Sequence, residues 1–272
     1  MPMNLEKEFI VHVPDWADLL RGPQDFPPRY FLVLTAYLDE SGHEGKEHVL
    51  IAGFIGNDEQ WLECAKAWTV GLGKRKSLHM NRLRWKNRRT KELLARLGPI
   101  PEACGLQRVF GGVRVRDYED LVVGTPAEKI AKGYYACLYP LVIRILQWLP
   151  AEERVKLVFE EQREYEVYTN SVLSSLADGP DPKWRNPDGR PKLAEWGFVP
   201  KGSTTLTEPS DYLAYALLQN CRDKMSEKAK WCLPILGGGL KFKAIGQIMK
   251  RWEIRIVVVF TQLLVEKRIR KT

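Results

Sequence analysis

Two apolar runs, residues 31–38 and 48–55, are rich in β-forming side chains and flank a short segment containing Gly42 and Gly45, which predicts a β-hairpin. Gly56-Asn57 closes the second run. Asn57 and Gln60 have the spacing of a capped helix start, and Trp61, Ala65 and Trp68 follow at helical intervals. Residues 106–115 alternate and contain Gly111-Gly112, so a third strand is expected, with a bulge or a close backbone approach at the glycines. Thr125-Pro126-Ala127-Glu128 combines an N-cap, a first-turn proline and a capping-box acid, opening a helix that runs toward Trp148 with a kink at Pro140. A short buried strand, residues 155–159, ends in Glu160-Glu161, and a helical pattern covers residues 165–176.

Residues 178–191 are dense in Asp, Pro and Gly and read as a loop or insertion, after which 196–199 form a brief strand. Thr207-Glu208-Pro209-Ser210-Asp211 opens a further helix, because proline suits the first turn and acids suit the positive helix end. Beyond Gly237-Gly238-Gly239 the pattern gives a basic helix at about 240–252, an apolar run at 254–264 and a basic tail at 267–271. The order of elements is that of a mixed α/β domain. We divide the chain into an N-terminal arm (1–30), a domain (31–225, with an insertion at 178–195) and a C-terminal extension packed on it (226–272).

Composition narrows the class. A chain of 272 residues with 44% hydrophobic residues can fill a real core. Lys and Arg number 42 against 34 Asp and Glu, a formal charge of +8 that suits a polyanionic partner. The five cysteines are widely spaced and form no C-x-x-C pair, which fits free thiols in a reducing cytoplasm better than zinc or a disulfide framework. Acidic residues near the N-terminus argue against a secretory signal. The most apolar stretch, 134–149, is too short for a membrane span and contains Pro140, Arg144 and Gln147, so no membrane partner is expected.

The chemistry is carried by acids at element ends. Asp39, in Asp39-Glu40-Ser41-Gly42, shares its strand face with Thr35 and Tyr37 and projects from the strand end. Glu160 and Glu161 end a second strand, and Asp211 lies in the first turn of a later helix. Taken singly, each has a plain structural role: a turn residue, a solvated strand end, a complement to the helix dipole. Converging, they form an all-oxygen donor set of the kind Mg²⁺ or Mn²⁺ prefers. Two ions roughly 4 Å apart would then clamp a phosphodiester during in-line displacement.

Residues 74–96 hold ten Lys or Arg and one acid, Glu92. Within them Arg82, Arg84, Lys86, Arg88 and Arg89 crowd around Trp85, an interleaving that suits contact with DNA or RNA, by phosphate neutralisation and base stacking. The alternative is a solvated helix face.

Three stretches resemble the bacterial and phage domain-of-unknown-function family 3800, whose members are similar to the ribonuclease H-like fold. They are the hairpin 36–42 with 49–55, the segment Leu78-His79-Met80, and Asp211-Tyr212-Leu213-Ala214-Tyr215-Ala216. The likeness spans residues 31–222. It departs from the family at Glu208-Pro209-Ser210, where Gln, an apolar residue and Ala are usual, and at Glu160, where Asp is frequent.

The resemblance implies a ribonuclease H-like mixed β-sheet flanked by helices. It also implies Asp39, Glu160 and Asp211 as metal ligands, Glu40 and Glu161 as supporting acids, and His79 as a proton donor or phosphate contact. Together these readings describe a divalent-metal-dependent nuclease in which water is the nucleophile. The alternatives are a catalytically silent nucleic-acid-binding or protein-interaction module of the same fold, and phosphoester chemistry on a small nucleotide. The last lacks a phosphate loop, since no Lys-Ser/Thr follows Gly237-Gly238-Gly239.

Overall fold

The computed structural model describes residues 32–42, 47–124, 133–161, 163–179 and 181–237, together with the backbone of 244–248. All of them belong to the unit Leu32–Thr272. The N-terminal arm, the Thr125 helix start, the apolar run 254–264 and the basic tail lie outside the described residues.

Strands β1 (Val33–Ser41), β2 (His48–Gly56) and β3 (Gln107–Arg114) form an antiparallel meander. Strand β4 (Arg154–Glu160) runs parallel to β1 on its other side, and β5 (Leu193–Val199) parallel to β4. A sixth strand, β6 (Ala244–Ile248), pairs parallel with β3, giving the order β5-β4-β1-β2-β3-β6.

The apolar runs of β1 and β2 are nearly continuous because both faces of the sheet are covered. On one face Leu34, Ala36, Leu38, Val49, Ile51, Leu157 and Phe159 pack with the helices that cover it. On the other, Leu50, Ala52 and Phe54 pack with a second set that includes Trp68, Leu94 and Tyr212. Period-two alternation therefore sends neighbouring apolar residues into two different cores.

The helices are α1 (Asp58–Leu72), α2 (Arg88–Leu97), α3 (Ile100–Ala103), α4 (Val115–Val122), α5 (Gly133–Trp148), α6 (Arg163–Asp178), α7 (Glu208–Arg222) and α8 (Glu227–Cys232). The start of α1 has the expected reciprocal cap: Gln60 N–H donates to Asn57 Oδ1, and Asn57 N–H to Gln60 Oε1, both at 2.9 Å. Gly111 marks a close approach and not a bulge. The β2/β3 register is unbroken there, and a Cβ at Gly111 would sit 2.8 Å from the Cys137 carbonyl oxygen of α5.

Four features depart from the expected pattern. The segment read as a basic helix at 240–252 contains β6: the open edge of β3 offers unpaired backbone groups, and Gly246 weakens a helix. Val115, expected to end a strand, begins α4. The C-terminal extension enters the second core directly, through Cys232, Ile235 and Leu236. The insertion is shorter than 178–195, because β5 already begins at Leu193. No helix among the described residues is long and apolar enough to cross a membrane.

Candidate functional site

The parallel pairing of β1 with β4 sets the site. Leu38 is level with Phe159, so the next step along both strands brings Asp39 beside Glu160 at their carboxyl ends. Leu38 and Phe159 face the first core; Asp39 and Glu160, one residue on, face the other side, where α7 lies. Both acids are buried, at 6% and 7% exposure. The carboxyl ends of parallel strands are where open α/β sheets commonly bind ligands.

Helix α7 brings the third acid. Ser210, fully buried, donates its hydroxyl to the Tyr37 carbonyl at 2.8 Å and so ties the first helical turn to β1. Asp211 follows and accepts a hydrogen bond from the Met80 N–H at 2.9 Å. Glu208, one turn earlier, is buried and accepts from Trp68 Nε1 at 2.8 Å and from the Leu78 backbone. The segment Leu78-His79-Met80 is thus held against α7 by two acids. The His79 ring is half-buried beside Gly202, where a Cβ would lie 3.5 Å from Cε1.

The electrostatics are those of crowded, desolvated acids. Asp39 is held well above the usual carboxylate range, first by burial and then by the charges of Asp211 and Glu160. Asp211 is raised chiefly by burial, against which the Met80 N–H works. Glu40 points to the opposite face of β1, toward Tyr134. Burial, opposed by Lys201 and aided by Glu160, pushes it up to about 8, and its Oε1 is buried without a hydrogen-bond partner. Glu208 rises to about 7, again mainly through burial. Glu161 stands apart, pairing with exposed Arg163 at 3.5 Å.

Against these acids stands Lys201, whose Nζ lies 2.7 Å from Glu160 Oε2. Burial disfavours its charge, but Glu160 and Asp39 outweigh that and raise its pKa. Neither Lys201 nor the anchoring roles of Glu208 and Ser210 emerged from the sequence. The available signal for Lys201 was its position two residues beyond a strand paired with the one ending in Glu160.

Among the described residues, no group of three His, Cys, Asp or Glu side chains is placed so as to hold a metal ion. Each acid has a local partner: Glu160 the Lys201 ammonium, Asp211 the Met80 N–H, and Asp39 Oδ1 the Glu40 N–H at 2.8 Å. In kind, the donors suit a hard divalent cation. They are all carboxylate oxygens, they are desolvated, and they exceed the cationic charge beside them.

The basic segment leaves the site directly, since Arg82 lies two residues after Met80. Arg82, Arg84, Lys86, Arg88 and Arg89 are exposed, with Arg88 paired to Glu92 at 2.8 Å. Trp85 serves as an anchor. Its ring stacks on Tyr215 of α7 (5.2 Å, 9° between planes) and lies 6.1 Å from Trp231, with Lys228 Nζ 5.8 Å from its centroid. The exposed charges are thereby fixed to the helix that carries Asp211. Comparison of the chain with protein families, curated proteins and solved structures gave no match in any of the three.

Proposed function

We propose that this chain is a divalent-cation-dependent nuclease of ribonuclease H-like fold, related to the domain-of-unknown-function family 3800, that hydrolyses phosphodiester bonds of DNA or RNA. The observation that carries the reading is the meeting of Asp39, Glu160 and Asp211, from two parallel strands and a helix start, at one end of the sheet. The meander β1-β2-β3 with β4 and β5 parallel beside β1 supports the fold assignment, with acids on the first strand, the fourth strand and a late helix.

Asp39, Glu160 and Asp211 would hold Mg²⁺ or Mn²⁺, which supplies charge neutralisation for in-line attack of water on phosphorus. Glu40 supports the site from the far face of β1. His79, beside Gly202, would donate a proton to the departing oxygen or contact a phosphate. The exposed Arg82, Arg84, Lys86, Arg88 and Arg89 take backbone phosphates, which positions the chain without reading sequence.

A second reading is favoured by one observation, the occupation of Glu160 by Lys201. In that reading the chain binds nucleic acid and cleaves nothing. Incubating the purified protein with end-labelled single- and double-stranded DNA and RNA, with Mg²⁺, Mn²⁺ or EDTA, separates the two. The nuclease gives cation-dependent cleavage that Asp39→Asn abolishes. Salt-sensitive binding with no cleavage under any cation rejects it in favour of the silent module.

A further inference from the structure

Resting on the metal-dependent reading above, we propose that Lys201 is the resident counter-cation of the carboxylate site, holding Glu160 until a divalent cation takes it. The placement is a product of topology. Strand β5 runs parallel to β4 with Val199 level with Glu160, and the turn that follows bonds Ser203 N–H to the Pro200 carbonyl at 3.0 Å. Lys201 sits inside this turn and reaches back over the strand end to Glu160.

Two features make the lysine a removable cation and not a fixed brace. The pair is asymmetric: the Glu160 side chain is 6% exposed and the Lys201 side chain 63%. Glu160 cannot turn to water, whereas Lys201, on a flexible four-carbon stem, can withdraw at little cost. In addition, the Lys201 ammonium opposes the upward shift of Asp39, Glu40 and Asp211 alike. A single ammonium therefore offsets several crowded carboxylates, the task a divalent ion would perform more completely. The two cannot share Glu160, since a divalent ion and an ammonium a few ångströms apart repel each other in a poorly hydrated site.

Competition of this kind lowers the affinity for metal and keeps the metal-free protein folded around its acids. Once displaced, Lys201 stands at the solvent edge of the site as a free cation, suited to an incoming phosphate.

The test is calorimetric titration of Mn²⁺ into wild type, Lys201→Met and Lys201→Gln, with thermal melting of each in EDTA and in saturating Mn²⁺. Removing the competitor is expected to tighten Mn²⁺ binding about fivefold or more in both variants, the scale of a partly exposed ion pair. In EDTA both should melt below wild type, because Glu160 is left buried without a partner, and Mn²⁺ should close the gap. If one variant does not fold, the other and the wild-type titration suffice. Wild type that binds Mn²⁺ while the folded variants bind it no more tightly would overturn the role of Lys201 and leave the metal reading standing. Absence of Mn²⁺ binding in wild type and variants alike would remove the metal reading, and this inference with it.

Discussion

At the scale of single residues, the position of Asp39 on β1, on the face opposite Leu38, was readable from strand alternation at the end of an apolar run. The choice between Glu160 and Glu161 was not readable. It depends on a parallel register between strands far apart in sequence, which sends Glu160 to the Asp39 face and leaves Glu161 with Arg163. Lys201 was invisible for the same reason, as one lysine in a polar turn.

Burial of like charges is a cost to folding. Asp39→Asn keeps an acceptor for the Glu40 N–H while removing a buried charge beside Asp211 and Glu160. It is expected to raise the melting temperature of the metal-free protein while abolishing cleavage, as scanning calorimetry and the cleavage assay together would measure. A lower melting temperature for this variant would contradict the electrostatic account.

Glu208 gives a pH dependence whose sign follows from its shift. Its folded pKa of about 7 lies above the ordinary 4.5, so between those values the folded state holds more proton than the unfolded state. Stability therefore falls as pH rises from 4.5 to about 7 and is flat, for this group, on either side. Glu208→Gln, which keeps an acceptor for Trp68 and Leu78, should flatten that part of the curve in denaturant unfolding followed across pH. An unchanged slope would assign the pH dependence to other groups.

At the scale of elements, runs that bury both faces of a strand were the strongest signal, and β1, β2 and β4 followed them closely. Elements that depend on neighbours were not so legible. Short α8 is held by packing of Cys232 and the following Ile235 and Leu236, while β6 forms because β3 presents an open edge. The close approach at Gly111 was legible as a glycine pair, but its partner, the α5 backbone, was not. Gly111→Ala forces a methyl against the Cys137 carbonyl and Leu141, and is expected to destabilise by about 1–3 kcal/mol, read as a lowered urea midpoint. Ser210→Ala tests the tie between α7 and β1. Loss of the bond to the Tyr37 carbonyl should cost about 1 kcal/mol and lower cleavage through misplacement of Asp211, with the fold intact by circular dichroism.

At the scale of the molecule, the sequence's net charge of +8 pointed to a polyanion without saying where it would lie. The structure places five of the basic residues on an exposed segment that begins beside Asp211's partner Met80, anchored by Trp85 against Tyr215. Charge and acids thus lie on connected segments. Replacing Arg82 and Arg84 by Gln should weaken binding to DNA or RNA uniformly across sequences. The slope of log affinity against log salt should fall by about 0.7–0.9 for each phosphate that is no longer neutralised. An unchanged slope would place the nucleic acid elsewhere.

All of these consequences lead back to whether the three acids accept a divalent ion together. The most direct measurement is a crystal structure of the protein soaked in Mn²⁺, with the metal located by its anomalous scattering. Expected is a peak coordinated by Asp39, Glu160 and Asp211, with the Lys201 ammonium moved off Glu160. A fully soaked crystal with no peak among these carboxylates, and Lys201 still bonded to Glu160, would contradict the account.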